Sequence, residues 1–188
     1  AADAPGFATL SLRPRLVWGP RDATVLPAVL RAARAGSFAW IDGGARRTST
    51  THVDNLVAAV EAALTRGGGG RAYFVADDGV RSLREFLSAL AATEGATLPA
   101  RSVPGWLARA MAAVVEVTWR ALGRSDAPPM TRFAASMLSA EVTVRTGRAR
   151  AELGYVPVVS ADAGLRALRD RAGDAASAQT RPASQPAR

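Results

Sequence analysis

A helix, a run of glycines and a strand follow one another between residues 52 and 76, and this unit constrains the fold more than any other part of the sequence. The turn RGGGGR at 66–71 leads into AYFVA at 72–76, which is rich in residues that favour strands. A helix that returns through a turn to an apolar strand is typical of α/β folds. Residues 52–65 carry apolar side chains at helical spacing, on a predicted inner face of Val53, Leu56, Val57, Val60 and Leu64.

The other predicted elements place α/β structure in the first half of the chain and helices in the second half. We predict a strand at 9–12 that Pro14 ends, a helix at 25–34, and a hairpin of strands 38–41 and 47–51 that turns at Asp42-Gly43. The domains are therefore an α/β part at 1–80, a mainly helical lobe at 81–171 and a disordered tail at 172–188. Later helices are predicted to begin near Ser82, Pro104, Pro128, Arg148 and Ser160.

Composition and local context exclude several kinds of site. The chain has no cysteine and a single histidine, His52, which excludes disulfides, a cysteine nucleophile and a site with several histidine ligands. We also expect no catalytic triad of His52, Asp54 and a serine. Asp54 lies at the start of a helix, where an acidic residue interacts with the helix dipole, and the sequence has no G-x-S-x-G motif. RGGGGR follows a helix and lacks a lysine, so it is a turn rather than a phosphate loop.

The net charge of +8 raises the question of nucleic-acid binding. All 24 basic residues are arginines, because the sequence contains no lysine, and they are scattered rather than gathered in a run. A nucleic-acid interface needs a basic patch or stripe. We therefore expect no nucleic-acid partner and attribute the charge to a bias in composition.

The apolar segment 104–122 is predicted as one long helix. Arg109, Glu116 and Arg120 interrupt it, so it is a poor bilayer span. The start AADAPGFA lacks the features of a signal peptide, so we expect a cytoplasmic protein and leave a peripheral membrane contact open. The stripe of Met130, Phe133 and Met137 is expected in the core. For the side of the long helix with Trp106, Met111, Val115 and Trp119, three places stay open: the core, which is favoured, the wall of a lipid-like ligand site and a membrane-facing surface.

The stretch LSLRPRLVWGPRD at 10–22 places a strand, a proline and a Gly-Pro break close together. In open α/β sheets, ligands bind outside the carboxyl ends of the strands. Pro14 lacks an N–H group and fixes its φ angle, so it turns the backbone away from the sheet. This geometry leaves ligand contact and a plain exit from the strand equally open.

Five segments together resemble one family. They are LRPRLVWGPRD, RAARAGSFAWIDGG, THVDNLVAAVEAAL, RAYFVADD and RARAELGYVP, and they occur in this order between residues 12 and 157. The set is similar to the carboxyl-terminal half of the extended short-chain dehydrogenase/reductases, the NAD-dependent epimerase/dehydratase superfamily. Arg-Pro-x-x-x-Trp-Gly-Pro, T-H-V-D-N and the long apolar helix resemble the 3β-hydroxysteroid and sterol dehydrogenase branch.

The resemblance implies a Rossmann-type fold with a mainly helical substrate lobe, and NAD or NADP as the cofactor. It also implies a sterol-like hydrophobic alcohol or ketone as substrate, with a nucleotide-sugar epimerase or dehydratase as the alternative and a homodimer left open. T-H-V-D-N is expected to support the lobe. By the same resemblance, the cofactor-binding residues are Pro14, Arg15, Leu16 and Val17, and the substrate-binding residues are Trp18, Gly19, Pro20 and Trp106.

The sequence departs from this family at the parts that perform the chemistry. The Gly-rich first turn has no counterpart, and neither Tyr73 nor Tyr155 has a lysine for a Tyr-x-x-x-Lys pair. In such an enzyme the tyrosine is the general acid and base, and the lysine lowers its pKa. We therefore assign no catalytic residue to this chain, expect it to be inactive alone, and keep a non-catalytic module that binds an apolar ligand as an alternative.

Overall fold

The computed structural model describes residues 7–123, 136 and 138–180, and in these ranges the strands pair two by two. The longest pair joins β1 (Leu10–Pro14) to β6 (Arg71–Val75) in parallel. Two shorter parallel pairs join β2 (Val17–Trp18) to β5 (Thr51–His52) and β3 (Trp40–Ile41) to β8 (Ser102–Val103). β4 (Arg47–Thr48) pairs antiparallel with β7 (Arg81–Ser82).

The described helices are α1 (Val25–Arg34), α2 (Val53–Arg66), α3 (Leu83–Ala92), α4 (Gly105–Ala121), α5 (Gly147–Leu153) and α6 (Ala161–Thr180). Three of them carry caps that the sequence predicts. Ser82 and Glu85 form a reciprocal capping box at the start of α3, and Gly154 ends α5 in the left-handed conformation with φ of 65°. Ser160 Oγ accepts a hydrogen bond of 3.3 Å from the N–H of Ala163, in the first turn of α6.

Three apolar clusters of the described residues hold the elements together, the smallest of which joins Ile41 to Ala108 and Ala112 of α4. The first joins Trp18, Trp40 and Phe86, and it brings α3, α6 and the loop after β1 into one core. The second packs Tyr73, Leu153 and the alanines of α2 around the β1·β6 pair. The α/β class is confirmed, with α3 buried through the predicted stripe of Leu83, Phe86, Leu87 and Leu90.

The predicted hairpin after β3 is wrong, although its turn is present. Asp42 and Gly43 have positive φ angles of 48° and 70°, as the Asp-Gly sequence favours. The chain then pairs β3 with β8, sixty residues away in sequence, while β4 pairs with β7. Asp42 Oδ1 accepts a 2.8 Å hydrogen bond from the N–H of Gly105, so its carboxylate caps α4 and draws the turn toward β8.

The predicted inner faces of α2 and α4 are wrong in part, since Val53, Leu56, Val115 and Trp119 are only half-buried. In α2 the buried residues are Asn55, Ala59 and Ala63, while Leu64 is 82% exposed. In α4 the buried face carries Ala108 and Ala112, whereas Trp106 and Met111 are exposed. In α2 the small side chains let the helix approach its neighbours closely, so close packing rather than bulk hydrophobicity selects its buried face.

The end of the chain differs from the predicted tail in part. Helix α6 continues to Thr180, past the predicted boundary at residue 172, because an alanine-rich sequence without proline up to Pro182 favours helix. The helix predicted from Pro128, with the stripe of Met130, Phe133 and Met137, lies outside the described residues. Among the residues that are described, no helix is long and apolar enough to cross a bilayer.

Candidate functional site

The carboxyl ends of β1 and β6 lie side by side, because these strands are parallel and Pro14 pairs in register with Val75. The Thr51 hydroxyl joins the two ends. It accepts a 3.1 Å hydrogen bond from the N–H of Arg15, and its Oγ1 lies 2.9 Å from the Arg15 carbonyl oxygen and 3.0 Å from that of Val75, so these two carbonyls share its one proton. Leu16 then adopts a positive φ of 42°, and the chain leaves β1 to form β2. The edge where this fold class binds ligands is thus formed by segment 14–17.

A buried carboxylate, Asp77, organises the structure behind this edge. Its Oδ2 accepts hydrogen bonds of 2.8 Å from the indole N–H of Trp18 and the hydroxyl of Thr50. Its Oδ1 accepts bonds from the backbone N–H of His52 at 2.6 Å and from the side-chain amide of Asn55 at 2.7 Å. Four donors satisfy the four lone-pair positions of a carboxylate, so Asp77 is a structural anion rather than a free general base.

Asn55 extends this network to the start of α6. Its Oδ1 accepts hydrogen bonds from the backbone N–H groups of Val158 at 2.7 Å and Val159 at 2.8 Å. Its Nδ2 donates to the carbonyl of Val159 at 2.8 Å as well as to Asp77. One fully buried amide therefore joins α2, the end of β6 and the loop before α6, over more than a hundred residues of sequence.

His52 is the N-cap of α2 and is 3% exposed. Its Nδ1 accepts a 3.2 Å hydrogen bond from the N–H of Asp54 in the first turn of the helix. A Cβ atom at Gly164 would lie 3.1 Å from Nε2, and one at Gly19 would lie 3.3 Å from it. Gly19 and Gly164 therefore enclose the ring, which caps the start of α2 and has a structural role.

The residues predicted to bind the cofactor are contiguous at the sheet edge. Pro14 ends β1 and Val17 begins β2. Burial lowers the pKa of Arg15, whose Nε is a buried donor without a hydrogen-bond partner among the described residues. No contact in the structure tests their role toward a cofactor, so the assignment stays a prediction.

The residues predicted to bind substrate do not lie together. Trp18 is 1% exposed and packs edge-on against His52 and Phe86, with ring centroids 4.8 and 5.3 Å away. Its indole is thus part of the core, while Gly19 is buried and Pro20 half-buried beside it. Trp106, in contrast, is 66% exposed on α4. Their substrate roles stay predictions, and the buried position of Trp18 favours a structural role for that side chain.

Both tyrosines are committed to internal hydrogen bonds. The hydroxyl of Tyr155 donates to the carbonyl of Ala76 at 3.0 Å, and that of Tyr73 donates to Glu152 Oε2 at 3.0 Å. Burial raises the pKa of Tyr155 far above its ordinary value, and the negative charge of Asp77 raises it further. Neither group is placed to exchange a proton with a substrate.

Sequence reasoning missed the network around Asp77 and Asn55. A polar residue directly after the apolar strand in RAYFVADD was one available indication. An asparagine four residues before Ala59 on the alanine face of α2 was another. Each pattern is common by itself, because Asp and Asn also occur at ordinary turns and helix ends.

The chain is similar to several reductases and dehydrogenases, although no family model matches it. It is 42% identical over 168 residues to a 4-hydroxy-2-methyl-3-oxo-4-farnesyl-3,4-dihydroquinoline-1-oxide ketoreductase of Stigmatella aurantiaca, a match that covers 89% of this chain and 50% of that protein. A 2-alkyl-3-oxoalkanoate reductase of Stenotrophomonas maltophilia is 34% identical, with 90% and 53% covered. A 3β-hydroxysteroid-dehydrogenase/decarboxylase of Arabidopsis thaliana, isoform 1, is 32% identical, with 88% and 40% covered.

Solved structures share the fold at lower identity. RMD from Pseudomonas aeruginosa in complex with NADPH has a TM-score of 0.54 and 18% identity, with 90% of this chain and 49% of that chain covered. UDP-glucuronic acid 4-epimerase from Bacillus cereus, in complex with UDP-glucuronic acid and NAD, has a TM-score of 0.52 and 18% identity, with 87% and 45% covered. The chain spans about half the length of the curated relatives it matches. It belongs to the extended short-chain dehydrogenase/reductase superfamily and matches the carboxyl-terminal part of the proteins in it.

Proposed function

We propose that this chain is the substrate-lobe part of an NAD(P)-dependent oxidoreductase that interconverts a ketone and an alcohol on a hydrophobic substrate. The observation that carries the proposal is the 42% identity to a ketoreductase across almost the whole chain. That relative acts on a farnesyl-bearing compound, and the two other relatives carry alkyl-oxoalkanoate and hydroxysteroid in their names. A sterol-like substrate is therefore one member of a wider class of hydrocarbon-rich ketones.

Segment 14–17 is the part of this chain that we expect to contact the cofactor. The Nε of Arg15 is a buried donor without a partner in the part of the chain that the structure describes, and it lies beside the left-handed Leu16, so it suits a polar group at the edge of the sheet. When bound, NAD(P) supplies the hydride or accepts it. The backbone of this segment would orient the nicotinamide end, and Thr51 would hold the segment in position against β6.

The proton transfer must come from residues outside this chain. Lysine is absent, and the hydroxyls of Tyr73 and Tyr155 are engaged in internal hydrogen bonds. We therefore expect the 188-residue chain to be inactive alone. Among the described residues β1 pairs only with β6, and Val60 and Leu64 of α2 are 41% and 82% exposed. An unpaired strand edge beside exposed apolar side chains supports a further layer of structure in the active protein.

The first experiment is to measure the mass of the polypeptide in its source cell with an antibody against residues 172–188. A product larger by about 100–150 residues, the size of a nucleotide-binding unit, would support the proposal. The purified protein should then oxidise NADPH or NADH with a 3-oxoalkanoate ester or a steroid ketone. The 188-residue chain serves as the matched control and should show no turnover.

Two results would overturn the proposal. Turnover of UDP-sugars without turnover of apolar ketones would assign the chain to the nucleotide-sugar enzymes of the superfamily. A native product of 19.5 kDa that binds no dinucleotide would favour the non-catalytic module for apolar ligands.

A further inference from the structure

A cavity of about 490 Å³ lies between the end of α1, the β3·β8 pair and α4. This volume is within the range of small-molecule sites in proteins. Its wall is almost entirely apolar, which suits hydrocarbon rather than a sugar. The larger side chains that line it are Phe38, Ile41, Val103, Met111, Val115 and Leu138.

Small side chains create this space. Ala108 and Ala112 form the buried face of α4 and are 7% and 1% exposed, while Ala32 and Ala39 line the cavity from the opposite side. Larger apolar residues at such positions would fill the gap and gain contacts, as well-packed cores normally do. Alanines on both walls leave the gap open.

Among the described residues that line the cavity, Ser37 and Arg101 are the polar ones. Arg101 Nη2 donates to the carbonyls of Gly36 at 3.0 Å and Phe38 at 3.3 Å. Its other guanidinium nitrogens have no hydrogen-bond partner among the described residues, and no carboxylate in that part of the chain forms an ion pair with it. Among the described residues, the cavity thus combines a largely apolar wall with an exposed arginine that has no ion-pair partner.

We propose that this cavity binds the hydrocarbon chain of an anionic amphiphile, a long-chain carboxylate, and that Arg101 binds the carboxylate. The apolar wall would bury the methylene groups, and the guanidinium would pair with the head group. That this ligand is the tail of the substrate rests on the function proposed above. The binding itself requires neither a cofactor nor catalysis.

Calorimetric titration of the chain with straight-chain alkanoates, from hexanoate to hexadecanoate, tests the binding. Each added methylene should tighten binding by up to about fourfold until the cavity is filled, after which the affinity should level off. Dodecan-1-ol, which lacks the charge, should bind about tenfold more weakly than dodecanoate. Equal affinity for hexanoate and dodecanoate, or no heat with any alkanoate, would overturn the proposal.

Substitutions on neighbouring positions of α4 localise the site. Val115→Phe places a larger ring in the cavity and should weaken dodecanoate binding at least about tenfold. Val114→Phe is the matched control, because Val114 is 67% exposed and does not line the cavity. Equal affinity in the two variants would refute the location.

Two further variants keep the test decisive if Val115→Phe does not fold. Met111→Ala, at a residue that lines the cavity and is 57% exposed, should raise the chain length at which the affinity levels off. Arg101→Gln should weaken dodecanoate and leave dodecan-1-ol unchanged, whereas a purely structural role of Arg101 would affect both. In Met111→Ala, affinity that levels off at the same chain length as in the unmodified protein would contradict the proposal.

The outcomes also separate this inference from the proposed function. Alkanoate binding without reductase activity in the full protein would leave the cavity in place and remove the proposed reaction. Ketone reduction with a KM that depends neither on chain length nor on Val115→Phe would keep the proposed reaction and remove the cavity as a binding site for the substrate.

Discussion

Replacing the buried carboxylate of Asp77 by an amide should destabilise the fold by about 2–4 kcal/mol, although the two side chains have the same shape. In Asp77→Asn one oxygen is kept and can still accept from the N–H of His52 and the amide of Asn55. The new NH₂ group must then face Thr50 and Trp18. The Thr50 hydroxyl can rotate and become an acceptor, but the indole N–H of Trp18 is a donor only.

The expected magnitude follows from that orphaned donor. A buried N–H without a partner costs about 1–3 kcal/mol, and the bonds that remain lose their charge assistance. Asp78→Asn is the matched control, because Asp78 is exposed and its ion pair with Arg150 lies at the surface. Its effect should stay within about 0.5 kcal/mol.

Urea unfolding followed by circular dichroism gives the free energies without relying on tryptophan fluorescence. Trp18→Phe removes the donor, so the double variant Trp18→Phe/Asp77→Asn should cost about 1–2 kcal/mol less than the sum of the two single variants. Additive single effects, or a loss below about 0.5 kcal/mol in Asp77→Asn, would refute the account of Asp77 as a saturated acceptor.

Three further predictions concern α6, α3 and α2. Gly164→Ala should cost about 1–3 kcal/mol, because its Cβ would lie 2.8 Å from Trp18 Cη2, whereas Gly173→Ala, with open space around it, should be neutral or stabilising in the same urea assay. The pKa of Glu85 is lowered by hydrogen bonds from the backbone and side chain of Ser82, so its stabilising effect is present above the pKa of the unfolded chain and is lost as the pH falls through the folded pKa. In Glu85→Gln the free energy of unfolding from urea titrations should therefore decrease less as the pH falls, and an unchanged pH dependence would contradict the assignment. Leu64→Glu should reduce light scattering by the isolated chain, since Leu64 is 82% exposed, and unchanged scattering would mean that this face does not drive association.

Local sequence patterns predicted the local structure well. The capping box of Ser82 and Glu85, the stripe of α3 and the glycine that ends α5 depend on neighbours within a few residues, and all are confirmed. The bounds of α1 at Val25–Arg34 were predicted for the same reason.

Long-range choices could not be predicted from those patterns. Asp42-Gly43 forms a turn with positive φ angles, but which strand pairs with β3 depends on residues 102–103 and on the cap that Asp42 gives to α4. The network at Asp77 likewise needs donors from three separate segments, at Trp18, at 50–52 and at Asn55. The candidate site was therefore predictable as a sheet edge but not as a set of contacts.

The error on α2 carries information about the active protein. The hydrophobic pattern favoured a face with Val57, Val60 and Leu64, whereas the structure buries the face with Asn55 and Ala59. Both faces can pack against other elements. The face with Val57, Val60 and Leu64 offers large apolar side chains, and the face with Asn55 and Ala59 has small side chains that allow close approach. A helix that is apolar on more than one side is typical of a helix enclosed on both sides. The outward stripe of α2 therefore fits a helix that packs between this part of the fold and a second layer, as the proposed function requires.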